Sequence, residues 1–138
     1  MRTPTDAFRN YRRRSRAERR LLGRTALLFI CAHVTLRVRD LRRARSTLAR
    51  IAQFIAAEAE SPAQLAWAVA AVNTRLPGKH SCLINAACCE AIATASSIEA
   101  EFRIGATREA GRVHFHAWVE HAGQALTGAH DGEFIPMA

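Results

Sequence analysis

The chain has 138 residues, 49% of them hydrophobic and 23% charged, with a formal net charge of +8. That length suits one domain with a modest core, and that hydrophobic content excludes a wholly disordered chain. No short apolar run with a small-residue cleavage site follows the basic start, so the sequence reads as a soluble, cytoplasmic protein.

The charge is unevenly placed. Residues 1–50 hold fifteen Arg against Asp6, Glu18 and Asp40, whereas residues 51–138 hold five basic and nine acidic groups. A basic head suits an acidic protein, an anionic lipid or nucleic acid, or is simply a solvated leader feeding a basic-faced helix. No aromatic interleaving, zinc-finger spacing or helix-turn-helix pattern supports specific reading of nucleic acid.

In chain order, residues 1–16 are expected to form a basic, flexible leader and residues 17–138 a single domain. Leu21, Leu22, Leu27, Leu28, Ile30 and Val34 predict a buried helix over 17–38. Its most apolar stretch, 25–36, is shorter than the roughly 20 residues a membrane span needs. A second helix is predicted over 42–59, with Leu48, Ile51, Phe54 and Ile55 at helical spacing. Ser61-Pro62-Ala63-Gln64 supplies an N-cap, a proline at the first helical position and a capping box, and Pro77-Gly78 ends that helix. Ser81 is the next N-cap, for a helix over 82–97 whose Leu83, Ala86, Ala87, Ala91 and Ala95 give a small-residue face. The period then changes to two: 101–105 and 112–120 alternate around a turn at Glu109-Ala110-Gly111. A second turn at Ala122-Gly123 leads to short segments at 124–127 and 133–136. Helices followed by an antiparallel meander make an α+β fold.

The four cysteines are Cys31, Cys82, Cys88 and Cys89, with no C-x-x-C motif. Adjacent cysteines do not readily bridge, and a cytoplasmic chain is expected to keep its thiols free. Cys82 falls in the first turn of a helix, where unpaired N–H groups and the helix dipole favour negative charge; it is the candidate nucleophile. Cys88 and Cys89 lie nearly two turns further on and read as core filler. On the predicted strand, His114, His116, Trp118 and Glu120 share one face, and Val113, Phe115, Ala117 and Val119 share a core face. If the polar face meets the mouth of the Cys82 helix, His116 serves as general base and Trp118 shields the pair or walls the substrate groove. His80 and His114 are candidate substrate contacts, although His80 reads equally well as an idle loop residue. His33, in an apolar helix, reads as a hydrogen-bonded core histidine. A metal bound by His114, His116 and a cysteine is the rival reading, but the thiol spacing fits no standard zinc module.

Three stretches together carry a resemblance: L-P-G-K-H-S-C-L-I-N-A-A, E-F-R-I-G-A-T-R and F-H-A-W-V-E-H-A-G-Q-A-L-T-G, spanning residues 76–128. In order and content they resemble the transglutaminase-like leader peptidases of lasso-peptide biosynthesis. The helical stretch 18–75 fits more loosely, and residues 1–16 fit nothing in the family. The resemblance implies a papain/transglutaminase-like core with the catalytic cysteine at a helix N-terminus, Cys82 as nucleophile and His116 as base. It implies cleavage of one peptide bond, which removes the leader from a ribosomally made precursor, with no metal or cofactor. Its implied partners are the precursor's leader region, a separate leader-recognition protein and an ATP-dependent cyclase. Many family members carry an Asp twelve residues after the histidine, where this chain has Gly128. Asp131 is the nearest replacement; otherwise a backbone carbonyl or Thr127 orients His116, or the site is a dyad. The Cys82 backbone N–H is the expected oxyanion donor. The same residues admit two other readings: acyl transfer to an amine, and a vestigial site in a partner-binding protein.

Overall fold

The computed structural model describes residues 13–78, 80–127 and 135–137. Among these, α1 (Arg16–Val38), α2 (Leu41–Phe54), α3 (Pro62–Arg75) and α4 (Cys82–Ala95) precede β1 (Glu101–Glu109), β2 (Arg112–His121), β3 (Gln124–Ala125) and β4 (Ile135–Met137). The strands form one antiparallel sheet in the order β3-β2-β1-β4. This is the expected α+β order, with a layer of helices followed by a sheet.

Each helix starts at a side-chain cap. Ser15, Asp40, Ser61 and Ser81 accept the N–H of Glu18, Arg43, Gln64 and Ile84 respectively, satisfying one donor that no helix can pair internally. Part of the presumed leader therefore belongs to the fold: Ser15 caps α1, and the Arg14 guanidinium lies 4.7 Å over the Trp67 ring. Residues 1–12 lie outside the described residues.

The core is built around α4, whose Ile84, Ala86, Ala87, Cys88, Cys89, Ala91, Ile92 and Ala93 are all buried. Small side chains let three neighbours approach this helix closely: Phe29 and Ala32 of α1, Leu48 and Ala52 of α2, and Ala117 and Val119 of β2. Arg45 of α2 reaches Glu90 of α4 with both carboxylate oxygens engaged, and its guanidinium also lies 4.1 Å over the Phe102 ring of β1. That one side chain ties two helices and the sheet together.

Three expectations need correction. Helix α1 is buried on one face only. Leu21, Leu22, Leu28 and Phe29 are in the core, but Leu27, Ile30 and Val34 are 44%, 54% and 58% exposed, because no other described element packs on the second apolar stripe. The 23-residue helix is long and apolar enough to cross a membrane by length and composition, yet its other face is committed to the domain core. Helix α2 stops at Phe54 rather than running to 59, because Ala56 adopts φ 52° and Ala57 N–H returns to Ala52 O. The predicted core face of β2 is also only half a core face: Ala117 and Val119 are buried, while Val113 and Phe115 are 50% and 64% exposed where the hairpin runs past the helices.

Candidate active site

Cys82 is the first residue of α4. Ser81 Oγ accepts the Ile84 N–H at 3.3 Å, and Ser81 O accepts the Asn85 N–H at 3.1 Å. The helix thus begins tightly and directs the Cys82 and Leu83 N–H groups outward at its mouth. The thiol meets the sheet here: Ala117 N–H donates to Cys82 Sγ at 3.5 Å. Val119 makes its bonds on the β3 side of β2, with Leu126 N–H and Thr127 Oγ1. Alternation along the strand turns the Ala117 N–H to that same side, so the thiol docks on β2 just beyond the β3 pairing.

This contact brings Cys82 close to His116, since Ala117 follows His116 in the chain. The two side chains line one groove of about 370 Å³. Ser81, Cys82 and Leu83 form one wall, Phe115, His116 and Ala117 of β2 another, and Leu41 and Ile104 close it. Gly105 lies directly across the ladder from His116, so β1 adds no side chain beside the imidazole there.

His116 stacks on Trp118, with ring centroids 5.8 Å apart and planes 17° from parallel. Trp118 is 6% exposed, and its Nε1–H donates to Glu120 Oε1 at 2.8 Å. The other oxygen of Glu120 receives Arg103 Nε at 3.2 Å. Glu120 is therefore no direct partner of His116 in this array; it anchors the tryptophan that the imidazole lies on. Trp118 backs the imidazole rather than lining the groove.

The other candidates are placed differently. His114 is exposed on the protruding half of β2. His80 is held by the fold: His80 Nε2 lies 3.0 Å from Leu76 O, and His80 Nδ1 lies 2.9 Å from His33 Nε2. A carbonyl only accepts, so with His80 neutral its Nε2–H donates to Leu76 and its Nδ1 accepts the His33 Nε2–H. Phe29 packs edge-on against His80 at 5.3 Å. The pair connects α1 to the segment immediately before Cys82. His33 is half-buried, and loss of hydration, then the charges of His80 and Arg37, hold it below the ordinary histidine range. Thr127 Oγ1 takes the Val119 N–H. Asp131 and Gly128 lie outside the described residues.

Cys88 and Cys89 lie fully buried in the core, as expected of filler. Loss of hydration, then Cys89 and Cys31, pushes Cys88 far up, and loss of hydration, then Glu90, pushes Cys89 up to about 12. Neither is a nucleophile near neutral pH. Among the described residues, no three His, Cys, Asp or Glu side chains cluster as metal ligands. Sequence reading missed Leu41, Leu83, Ile104 and Phe115 as groove residues. Leu41 and Leu83 follow capped helix starts and had a readable signal; Phe115 sat on a face assigned to the core, and Ile104 lay in an alternating stretch whose faces were not assigned.

A family model described as the transglutaminase-like superfamily matches residues 10–137. No curated protein and no solved structure matches the chain.

Proposed function

The chain belongs to the transglutaminase-like superfamily, and within it we propose that it is a cysteine peptidase that removes the leader from a ribosomally made lasso-peptide precursor. Superfamily membership points to thiol-based cysteine protease or acyltransferase chemistry. One observation carries the choice of residues: Cys82 opens α4 with its Sγ on the Ala117 N–H, in a groove that His116 also lines. The lasso assignment is supported by the quoted motifs, L-P-G-K-H-S-C-L and H-A-W-V-E, at their spacing in this chain.

In this reading Cys82 Sγ attacks the scissile carbonyl carbon, and His116 takes the thiol proton. The carbonyl oxygen becomes an oxyanion against the Cys82 N–H at the helix mouth. Collapse breaks the C–N bond, and the imidazolium gives its proton to the leaving amine. Water, deprotonated by His116, then attacks the thioester and releases the leader with a free carboxylate and the thiol restored. Trp118 keeps the imidazole plane in place, and Asp131 is proposed to orient it. A separate recognition protein would deliver the leader, which raises the effective concentration of the scissile bond. The freed amine is the substrate for an ATP-dependent cyclase.

Incubation of precursor, recognition protein and this chain, followed by mass spectrometry, tests the assignment. Wild type is expected to yield leader ending in a carboxylate, and Cys82→Ala to leave the precursor intact. Cleavage by Cys82→Ala defeats the proposal, whereas a leader carrying a new amide would mean acyl transfer to an amine.

A further inference from the structure

Val113 and Phe115 sit at core-facing positions of β2 yet stand 50% and 64% exposed. Phe115 lies on the wall of the groove that holds Cys82, and on the same sheet face as Ile104 and Ala117. Leu41 and Leu83 come from two helix starts to complete that wall. Among the described residues no Lys, Arg, Asp or Glu lines this groove, although such residues make up 23% of the chain. By contrast, a hollow of about 280 Å³ at the other end of the hairpin is lined by Glu101, Arg103 and Glu120 and holds no thiol. Uncovered apolar surface concentrated around a nucleophile is surface kept for a ligand.

Resting on the cysteine-peptidase reading above, we propose that this groove takes an uncharged apolar side chain of the substrate, from the residue whose carbonyl Cys82 attacks. In the acyl-enzyme that carbonyl carbon is bonded to Sγ, and the residue's α-carbon is one bond further. Its side chain therefore starts at the sulfur and runs along Leu83, Leu41, Ile104 and Phe115. A leucine- or phenylalanine-sized group removes apolar area from water on both sides. A carboxylate or ammonium in the same place loses hydration with no Lys, Arg, Asp or Glu partner among the described lining residues.

Chloromethyl ketones of N-acetyl-leucine, -phenylalanine, -aspartate and -lysine test this directly on the full chain. The thiolate displaces chloride, leaving a thioether on Cys82 that intact mass and peptide mapping quantify. Each rate is divided by the same protein's rate with iodoacetamide, which carries no side chain. The leucyl and phenylalanyl reagents are expected to exceed the aspartyl and lysyl ones by about tenfold or more. Phe115→Lys is expected to raise the normalised aspartyl rate at least severalfold, a gain that misfolding does not produce. Phe115→Ser and Leu41→Ser should each shrink the apolar preference. Equal normalised rates in wild type, or no aspartyl gain in Phe115→Lys, overturn the groove assignment. Failure of the peptidase reading looks different: Cys82→Ala would then still cleave precursor, whatever the reagents' order.

Discussion

Ser61 and Ser81 cap α3 and α4 with the same chemistry, accepting the Gln64 and Ile84 N–H groups at 3.1 and 3.3 Å. Only the second stands beside Cys82. Replacing either by alanine removes a cap worth about 1 kcal/mol. For 138 residues that corresponds to a fall in melting temperature of about 4 °C. Global stability should therefore not distinguish Ser61→Ala from Ser81→Ala. Function should. The first turn of α4 carries both Cys82 and the N–H groups at the helix mouth. One kcal/mol there shifts the open-to-closed ratio of that turn by about fivefold. Well below both melting temperatures, Ser81→Ala is expected to cleave precursor more slowly, by up to about fivefold, in single-turnover mass spectrometry. Ser61→Ala should match wild type, and Ser81→Thr should recover both temperature and rate. Equal activities of the two alanine variants, alongside equal losses of melting temperature, would refute the idea that the cap organises the site.

Three further outcomes follow from packing and charge. In the native protein iodoacetamide should modify Cys82 while sparing Cys88 and Cys89, which are buried and poorly ionised. Peptide mapping that finds either core thiol labelled as fast as Cys82 contradicts this placement. His33 is held below its usual value of 6.5, so the folded chain binds fewer protons than the unfolded one as pH falls. Its contribution to stability is present above about 6.5 and is lost as pH drops from there through the lowered value. Melting temperature should therefore decline less between about pH 7.5 and 5.5 in His33→Gln, which keeps a donor for His80, than in wild type; parallel curves would exclude the effect. Leu28→Ala should cost about 2–5 kcal/mol by denaturant titration and Leu27→Ala under about 1 kcal/mol, since only Leu28 is fully buried. Similar losses for the two would mean that the outer face of α1 is covered.

Capping chemistry made the starts of α3 and α4 legible, because Ser61-Pro62 and Ser81 carry strong local signals. The hairpin was equally readable: alternation on both sides of Gly111, with φ 76°, places the turn between β1 and β2. Helix ends were less legible. Helices α2 and α4 end through Ala56 at φ 52° and Ser97 at φ 56°, with Ala57 and Ile98 N–H groups reaching back to Ala52 and Ala93. Glycine, the usual sign of such an ending, is absent from both, and a left-handed alanine costs about 1 kcal/mol that only tertiary packing offsets. At the site, Cys82 at a helix mouth and the histidine strand were written in local pattern. Where the hairpin leaves the helical layer was not, since that depends on how long α4 is relative to β2. The same gap hid Phe115 as a groove residue and made Trp118 look like a wall rather than the backing of His116.

The thiol takes its sheet hydrogen bond from a residue 35 positions later in the chain. A partly folded molecule that keeps α4 without β2 has a cysteine at a helix end, but neither the Ala117 N–H nor the imidazole beside it. Under the proposed function, thermal inactivation and loss of tertiary structure should accordingly coincide. During synthesis, too, the Cys82 site stays incomplete until the hairpin has formed, so the thiol gains its strand partner only when the domain is whole.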